Sequence, residues 1–162
     1  MLQPHVEYLD TNIVFAKIQD FDVHYAGDFV YSSGSGGFDL NYNSGGSTGN
    51  CCAMFMGPAD TTTFAIESGS AIYVPKNGVG YFVEITYKCN CPFYFDIKTP
   101  TNTRSIVGFN TRNEWNKPYI NITYAIDVTP GTDVKLVFKM PSDASIPKQE
   151  VLIDDIKLIY LP

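Results

Sequence analysis

Charge is scarce in this sequence, and what there is leans acidic. Only 17% of its residues are Asp, Glu, Lys or Arg, and 11 basic against 17 acidic residues leave a formal net charge of -6. Proteins that bind nucleic acid neutralise phosphates with clustered Lys and Arg, so no nucleic-acid partner is expected. Anionic membrane surfaces are equally poor partners. No run of about 18 apolar residues exists, so no membrane insertion is expected. The opening Met1-Leu2-Gln3-Pro4-His5 lacks the charged and apolar regions of a signal peptide. A virion or extracellular surface is the expected location.

Catalytic groups are also sparse. The two histidines, His5 and His24, both fall near the start and read as surface residues. There is no Gly-x-Ser-x-Gly elbow. Gly34-Ser35-Gly36-Gly37 has no following helix and reads as a flexible loop rather than a dinucleotide fingerprint. Glycoside hydrolysis needs two carboxylates about one bond. Glu67, Glu84, Glu114 and Glu150 stand singly, and Asp154-Asp155, as neighbours on a regular strand, point to opposite faces. The expectation is that the chain is not an enzyme.

Four cysteines come as two close pairs, Cys51-Cys52 and Cys89-Asn90-Cys91. Free thiols, one disulfide between the two segments and a zinc site all stay open, although the spacing is unlike the usual Cys-x2-Cys of zinc sites.

What is abundant is aromatic: 11 Tyr and 11 Phe, with a single Trp. Aromatic residues suit a pleated, half-buried surface. Alternation with period two recurs and helical stripes do not. Tyr81, Val83, Ile85, Tyr87 and Cys89 share one face of a strand, and Phe93, Phe95 and Ile97 share one face of the next. Lys88 to Pro92 reads as the turn of a hairpin between them. Ile120, Ile122, Tyr124 and Ile126 predict a further strand, followed by a turn at Thr129-Pro130-Gly131-Thr132. Val134, Leu136 and Phe138 face inward on another, and Val151 to Leu161 closes the chain. Earlier strands are predicted near Asn12–Ile18, Asp28–Tyr31, Cys51–Phe55, Thr61–Ile66 and Ala71–Val74. Ser32 to Asn50, rich in Gly, Ser and Asn, reads as mobile loops around one short strand carrying the alternating set Phe38, Leu40 and Tyr42. About ten short strands predict a single all-β domain over residues 1–162, an antiparallel β-sandwich of jelly-roll type.

In the closing strand Ile153, Ile156 and Leu158 should all be inside, yet Ile153 and Ile156 have opposite parity. A β-bulge at Asp154-Asp155 would restore the register. Carboxylates on a bulge offer hard oxygen ligands, which suit calcium.

Three stretches carry a family resemblance. They are Gly80-Tyr81-Phe82-Val83-Glu84-Ile85-Thr86-Tyr87-Lys88, Asn113-Glu114-Trp115-Asn116-Lys117-Pro118-Tyr119, and Val151-Leu152-Ile153-Asp154-Asp155-Ile156-Lys157-Leu158. Together they resemble jelly-roll carbohydrate-binding modules of the kind appended to xylanases and glucanases, over roughly residues 70 to 160. The resemblance implies glycan binding without catalysis. It implies sugar stacking on Trp115, Tyr94, Tyr119 and Tyr42, with Asn113 and Asn116 as polar partners. It also implies a structural calcium through Asp154 or Asp155. The family's first-strand Asn-x-x-Phe-Glu is met by Asn12-Ile13-Val14-Phe15, but Ala16 stands where Glu is expected. Asn121-Ile122-Thr123 is a formal glycosylation sequon and reads as chance.

The alternative is a structural subunit of a virion or surface assembly, a capsid-decoration or fibre protein acting in host attachment. Sparse charge leaves few residues to guard sheet edges, so an oligomer or a larger assembly with other protein subunits is expected under either reading.

Overall fold

The computed structural model describes residues 5–8, 14–19, 21, 28–43, 49–74, 78–125 and 132–161. Asn12, Ile13, His24 and the turn residues 129–131 lie outside them. Fourteen strands are present among the described residues: β1 (His5–Tyr8), β2 (Val14–Gln19), β3 (Phe29–Ser33), β4 (Gly37–Tyr42), β5 (Cys51–Met56), β6 (Phe64–Ser68), β7 (Ile72–Val74), β8 (Gly80–Cys89), β9 (Phe93–Lys98), β10 (Thr103–Phe109), β11 (Arg112–Asn116), β12 (Tyr119–Asn121), β13 (Thr132–Met140) and β14 (Gln149–Leu161). The sole helical element described is a 3-10 turn at Thr123–Ala125.

The strands form two antiparallel sheets, one of eight strands and one of six. The long β14 is the axis of the larger. Its first half pairs with β5 and its second half with β2. On the opposite flank β8 runs along both halves. β4 continues beyond β5, β1 beyond β2, and β11 and β12 beyond β8. The smaller sheet runs β10-β9-β13-β6-β3, with β7 added on β13. This is the expected sandwich.

The alternation explains the layers. Tyr81, Val83, Ile85, Tyr87 and Cys89 of β8 meet Phe93, Phe95 and Ile97 of β9 and Val134, Leu136 and Phe138 of β13 in one buried core. Burying each large apolar side chain contributes roughly 1.5–3 kcal/mol. The rings interlock: Phe93 lies 4.7 Å from Phe109 and 5.3 Å from Tyr87 between centroids.

The bulge at Asp154-Asp155 is present. Asp154 pairs with Thr86 and Lys157 with Glu84, so β14 spends one more residue than β8 between the two pairs. Asp155 takes a φ of 45°, and Ile153, Ile156 and Leu158 are all buried as the parity argument required.

Three expectations are corrected. Lys88 to Pro92 does not turn a hairpin, because β8 belongs to the larger sheet and β9 to the smaller. Asn90 holds the chain on β14: its N–H donates to the Glu150 carbonyl at 3.1 Å, its Oδ1 accepts from Glu150 N–H at 2.7 Å, and its Nδ2 donates to the Lys148 carbonyl at 2.8 Å. The chain thus crosses between layers here.

The strand expected over Ile120–Ile126 ends at Asn121, and Ile126 lies outside the described residues. Asn121 Oδ1 accepts from Thr123 N–H at 2.9 Å, an Asx turn, and Thr123 Oγ1 accepts from Tyr81 N–H at 2.8 Å. Tyr124 is therefore exposed rather than inward, while Ile120 and Ile122 are buried.

Phe38 and Leu40 pack against the core, but a register shift between Asp39 and Tyr42 turns Tyr42 to the opposite face. Within the Gly-rich segment, Gly34 has a φ of 80°, and a Cβ there would lie 1.7 Å from the Thr63 carbonyl oxygen, so the turn is seated against the start of β6.

Finally, β1, β10 and β11 escaped the sequence reading. β10 is the edge of the smaller sheet, with Thr103, Arg104 and Ser105 exposed, so its apolar signal is weak.

Candidate functional site on the outer face of the larger sheet

The two outer faces differ in chemistry. That of the smaller sheet carries ion pairs beside exposed Val30, Tyr73 and Tyr94: Lys139 Nζ lies 2.6 Å from Asp96 Oδ2, and Glu67 Oε2 sits between Lys98 at 3.5 Å and Lys135 at 3.7 Å. That of the larger sheet is aromatic. Strand parity sends Cys51, Ala53 and Phe55 of β5 and Leu152 of β14 outward. Cys51, Ala53 and Leu152 form a small apolar floor, on which Tyr42 from β4, Phe55 from β5 and Trp115 from β11 pack half-buried. Tyr42 meets Phe55 edge-on at 5.6 Å, and Lys148 Nζ lies 5.0 Å from the Phe55 ring. The charge of Glu150, chiefly, pushes the Tyr42 phenol above its ordinary pKa.

Beside this platform runs a polar strip from β8. Glu84 and Thr86 face outward, opposite Lys157 and Asp154 of β14. Tyr119 pairs with Glu84 across β12. A hydrogen bond to the Glu84 carboxylate, and then its charge, raise the Tyr119 phenol. Lys157 Nζ lies 3.6 Å from Glu84 Oε1.

Of the six residues singled out for glycan contact, Trp115, Tyr42 and Tyr119 thus lie on one face. Asn116 spends its amide on the Tyr87 hydroxyl at 3.4 Å, and Asn113 is exposed on β11. Tyr94 lies elsewhere. It is exposed on the smaller sheet, where it lines a shallow depression of about 300 Å³ with Pro92, Pro141, Ser142, Asp143 and Ala144. It does not cluster with Trp115. Sequence reasoning missed Phe55, Glu84, Thr86, Glu150 and Lys157. One signal was available for Phe55: the run Cys51 to Met56 is apolar on both faces, so its outer face needs cover.

No disulfide joins the four cysteines, and all are buried, Cys51 under the platform and Cys52, Cys89 and Cys91 in the core. Among the described residues no three His, Cys, Asp or Glu side chains come together to hold a metal ion. At the bulge, Asp155 N–H donates to Asp154 Oδ1 at 2.9 Å, and Ala16 stands opposite Leu158 on β2. Calcium takes six to eight oxygens, more than Asp154 and Asp155 supply by themselves. No helix among the described residues is long and apolar enough to cross a membrane.

No protein-family model matches the chain, and no curated protein matches it. Solved structures do. A family 29 carbohydrate-binding module from Piromyces equi superposes with a TM-score of 0.59 at 9% identity, over 91% of this chain and 90% of that one. A variant of the module CBM29-2 complexed with cellulohexaose gives 0.60 at 12% identity, over 93% of each chain. Another, complexed with mannohexaose, gives 0.60 at 8% identity, over 92% of this chain and 93% of that one. The chain shares the β-sandwich fold of these modules.

Proposed function

We propose that this protein is a non-catalytic glycan-binding domain whose outer face on the larger sheet is the binding surface. One observation carries the reading: Tyr42, Phe55 and Trp115, from three different strands, share an outward apolar floor on that face, whereas the exposed rings of the smaller sheet, Tyr73 and Tyr94, stand on a face crossed by ion pairs. Sugar rings present apolar C–H faces to aromatic rings and hydroxyls to polar neighbours. The module structures that share this fold, two of them in complex with mannohexaose and cellulohexaose, support the ligand class. No observation favours the virion-subunit reading, and Asn113, Asn116 and Tyr94 have no part in the surface proposed here.

The test is a glycan array followed by calorimetry on the ligands it selects. Saturable binding that Trp115→Ala weakens supports the reading, and an array without signal overturns it. A shallow face binds one chain weakly, so an oligomer would add avidity. The outer strands of the smaller sheet, β3 and β10, offer the edges for pairing, and light scattering at micromolar concentration tests this.

A further inference from the structure

Six buried side-chain polar atoms among the described residues lack a hydrogen-bond partner. Three are carboxylate oxygens of Glu67, Asp96 and Asp133 toward the smaller sheet, and ion pairs compensate Glu67 and Asp96. The other three, Glu84 Oε1, Thr86 Oγ1 and Trp115 Nε1, all belong to the proposed binding face. Lys157, 3.6 Å from Glu84 Oε1, compensates that oxygen, whereas Thr86 and Trp115 are neutral and no ion pair stands in for their missing bonds. A buried polar group left unmatched is costly, and such groups gathered on one surface point to a partner that arrives from outside.

Register places them together. Asn116 of β11 pairs with Tyr87 and Tyr119 of β12 pairs with Glu84. Thr86 therefore lies along β8 between the points where Trp115 and Tyr119 flank it. β11 spends five residues, Arg112 to Asn116, against the three of β8 from Cys89 to Tyr87, so the ladder beside Trp115 is irregular. Glu84 and Thr86 are both only 4% exposed, so ligand contact requires the side chains over them to move.

We infer that Glu84, Thr86 and the indole N–H of Trp115 form a hydroxyl-reading subsite that selects uncharged, hydroxyl-rich glycans. This rests on the proposed function and adds its specificity. The three groups supply a donor, a donor-acceptor and an acceptor, and a sugar hydroxyl, which donates and accepts, completes the set. A carboxylate on the sugar cannot donate, and it would meet Glu84, Asp154 and Glu150 on the same face.

Calorimetry with cellohexaose, mannohexaose and oligogalacturonate tests it, using Thr86→Val and Glu84→Gln, which keep side-chain volume. The expected result is binding of a neutral hexaose, weakened about fivefold by Thr86→Val and about tenfold or more by Glu84→Gln, with no binding of the uronate. In a nitrogen-15 spectrum the single indole N–H signal should move on adding the neutral ligand. Wild-type affinity in both variants, with Trp115→Ala still weakening binding, overturns the subsite and leaves the glycan reading intact. Tighter binding of the uronate than of either hexaose overturns the subsite as well. Failure of the wild-type protein to bind any glycan overturns both. Thermal melts of each variant separate lost contacts from lost folding.

Discussion

Asp155 donates its backbone N–H to Asp154 Oδ1 at 2.9 Å while holding a φ of 45°. A residue in the left-handed region sits there only because the surrounding ladder demands it, and Asp tolerates it better than most. Asp155→Gly should therefore keep or raise the melting temperature, since glycine adopts this φ freely. Asp155→Val should lower stability by about 1–2 kcal/mol, a drop of a few degrees on the order expected for this chain length. Calorimetric melts decide it. A chelator tests calcium at the bulge, and an unchanged wild-type curve would leave the bulge standing and remove the ion. A clear fall on chelation would show a bound ion stabilising the fold.

Trp115 and Tyr94 sit on opposite sides of the sandwich, and this separates two accounts of the glycan surface. Trp115→Ala should weaken binding about fivefold, the loss of one stacking aromatic worth on the order of 1 kcal/mol. It should spare the fold, because the ring packs on the small outer floor and not in the main core. Tyr94→Ala should leave affinity unchanged. Affinity electrophoresis of both variants checks the pair, and a loss confined to Tyr94→Ala would move the site to the smaller sheet.

Much of this was legible in the sequence. Period-two alternation places the cores of β8, β9, β13 and β14, and the parity conflict between Ile153 and Ile156 locates the bulge. Pairing between strands was less legible. The alternation of β8 and β9 is the same whether they form a hairpin or part into two sheets, and the deciding bonds run from Asn90 to Lys148 and Glu150, about sixty residues away in the chain. The face of Tyr42 depends on a bulge in β4 that no parity conflict announces. The polar strip was hidden because Glu84 and Thr86 look like an ordinary solvated face until β11 and β12 lie beside them.

Asn90 therefore carries a prediction of its own. Asn90→Ala removes the side-chain bonds to Lys148 and Glu150 at the point where the chain leaves one sheet for the other. The site is exposed, so water replaces part of each bond, and the loss should be about 1–2 kcal/mol. Denaturant titration should show a lower midpoint with an unchanged slope, as a local loss in an otherwise intact sandwich requires. Asn90→Asp restores only the acceptor to Glu150 N–H and should recover part of the loss.

The thiols give a pH-dependent test. Burial above all raises the pKa of Cys52, Cys89 and Cys91, and the Cys89 thiol donates to the Asn110 carbonyl at 3.4 Å. The unfolded chain releases these protons near the ordinary thiol value of about 8.5, whereas the folded chain holds them to higher pH. The folded state thus binds more protons in this window. Stability contributed by the buried thiols is fully present below about pH 8.5 and should decline as pH rises toward the folded values. Denaturant midpoints measured from pH 7 upward should fall, and replacing Cys52 by Ala should flatten part of that slope while lowering stability at neutral pH. A thiol-reactive dye at pH 8 should label the native protein slowly and all four cysteines after unfolding. Fewer than four reactive thiols in denaturant without reductant would mean that two of them are paired.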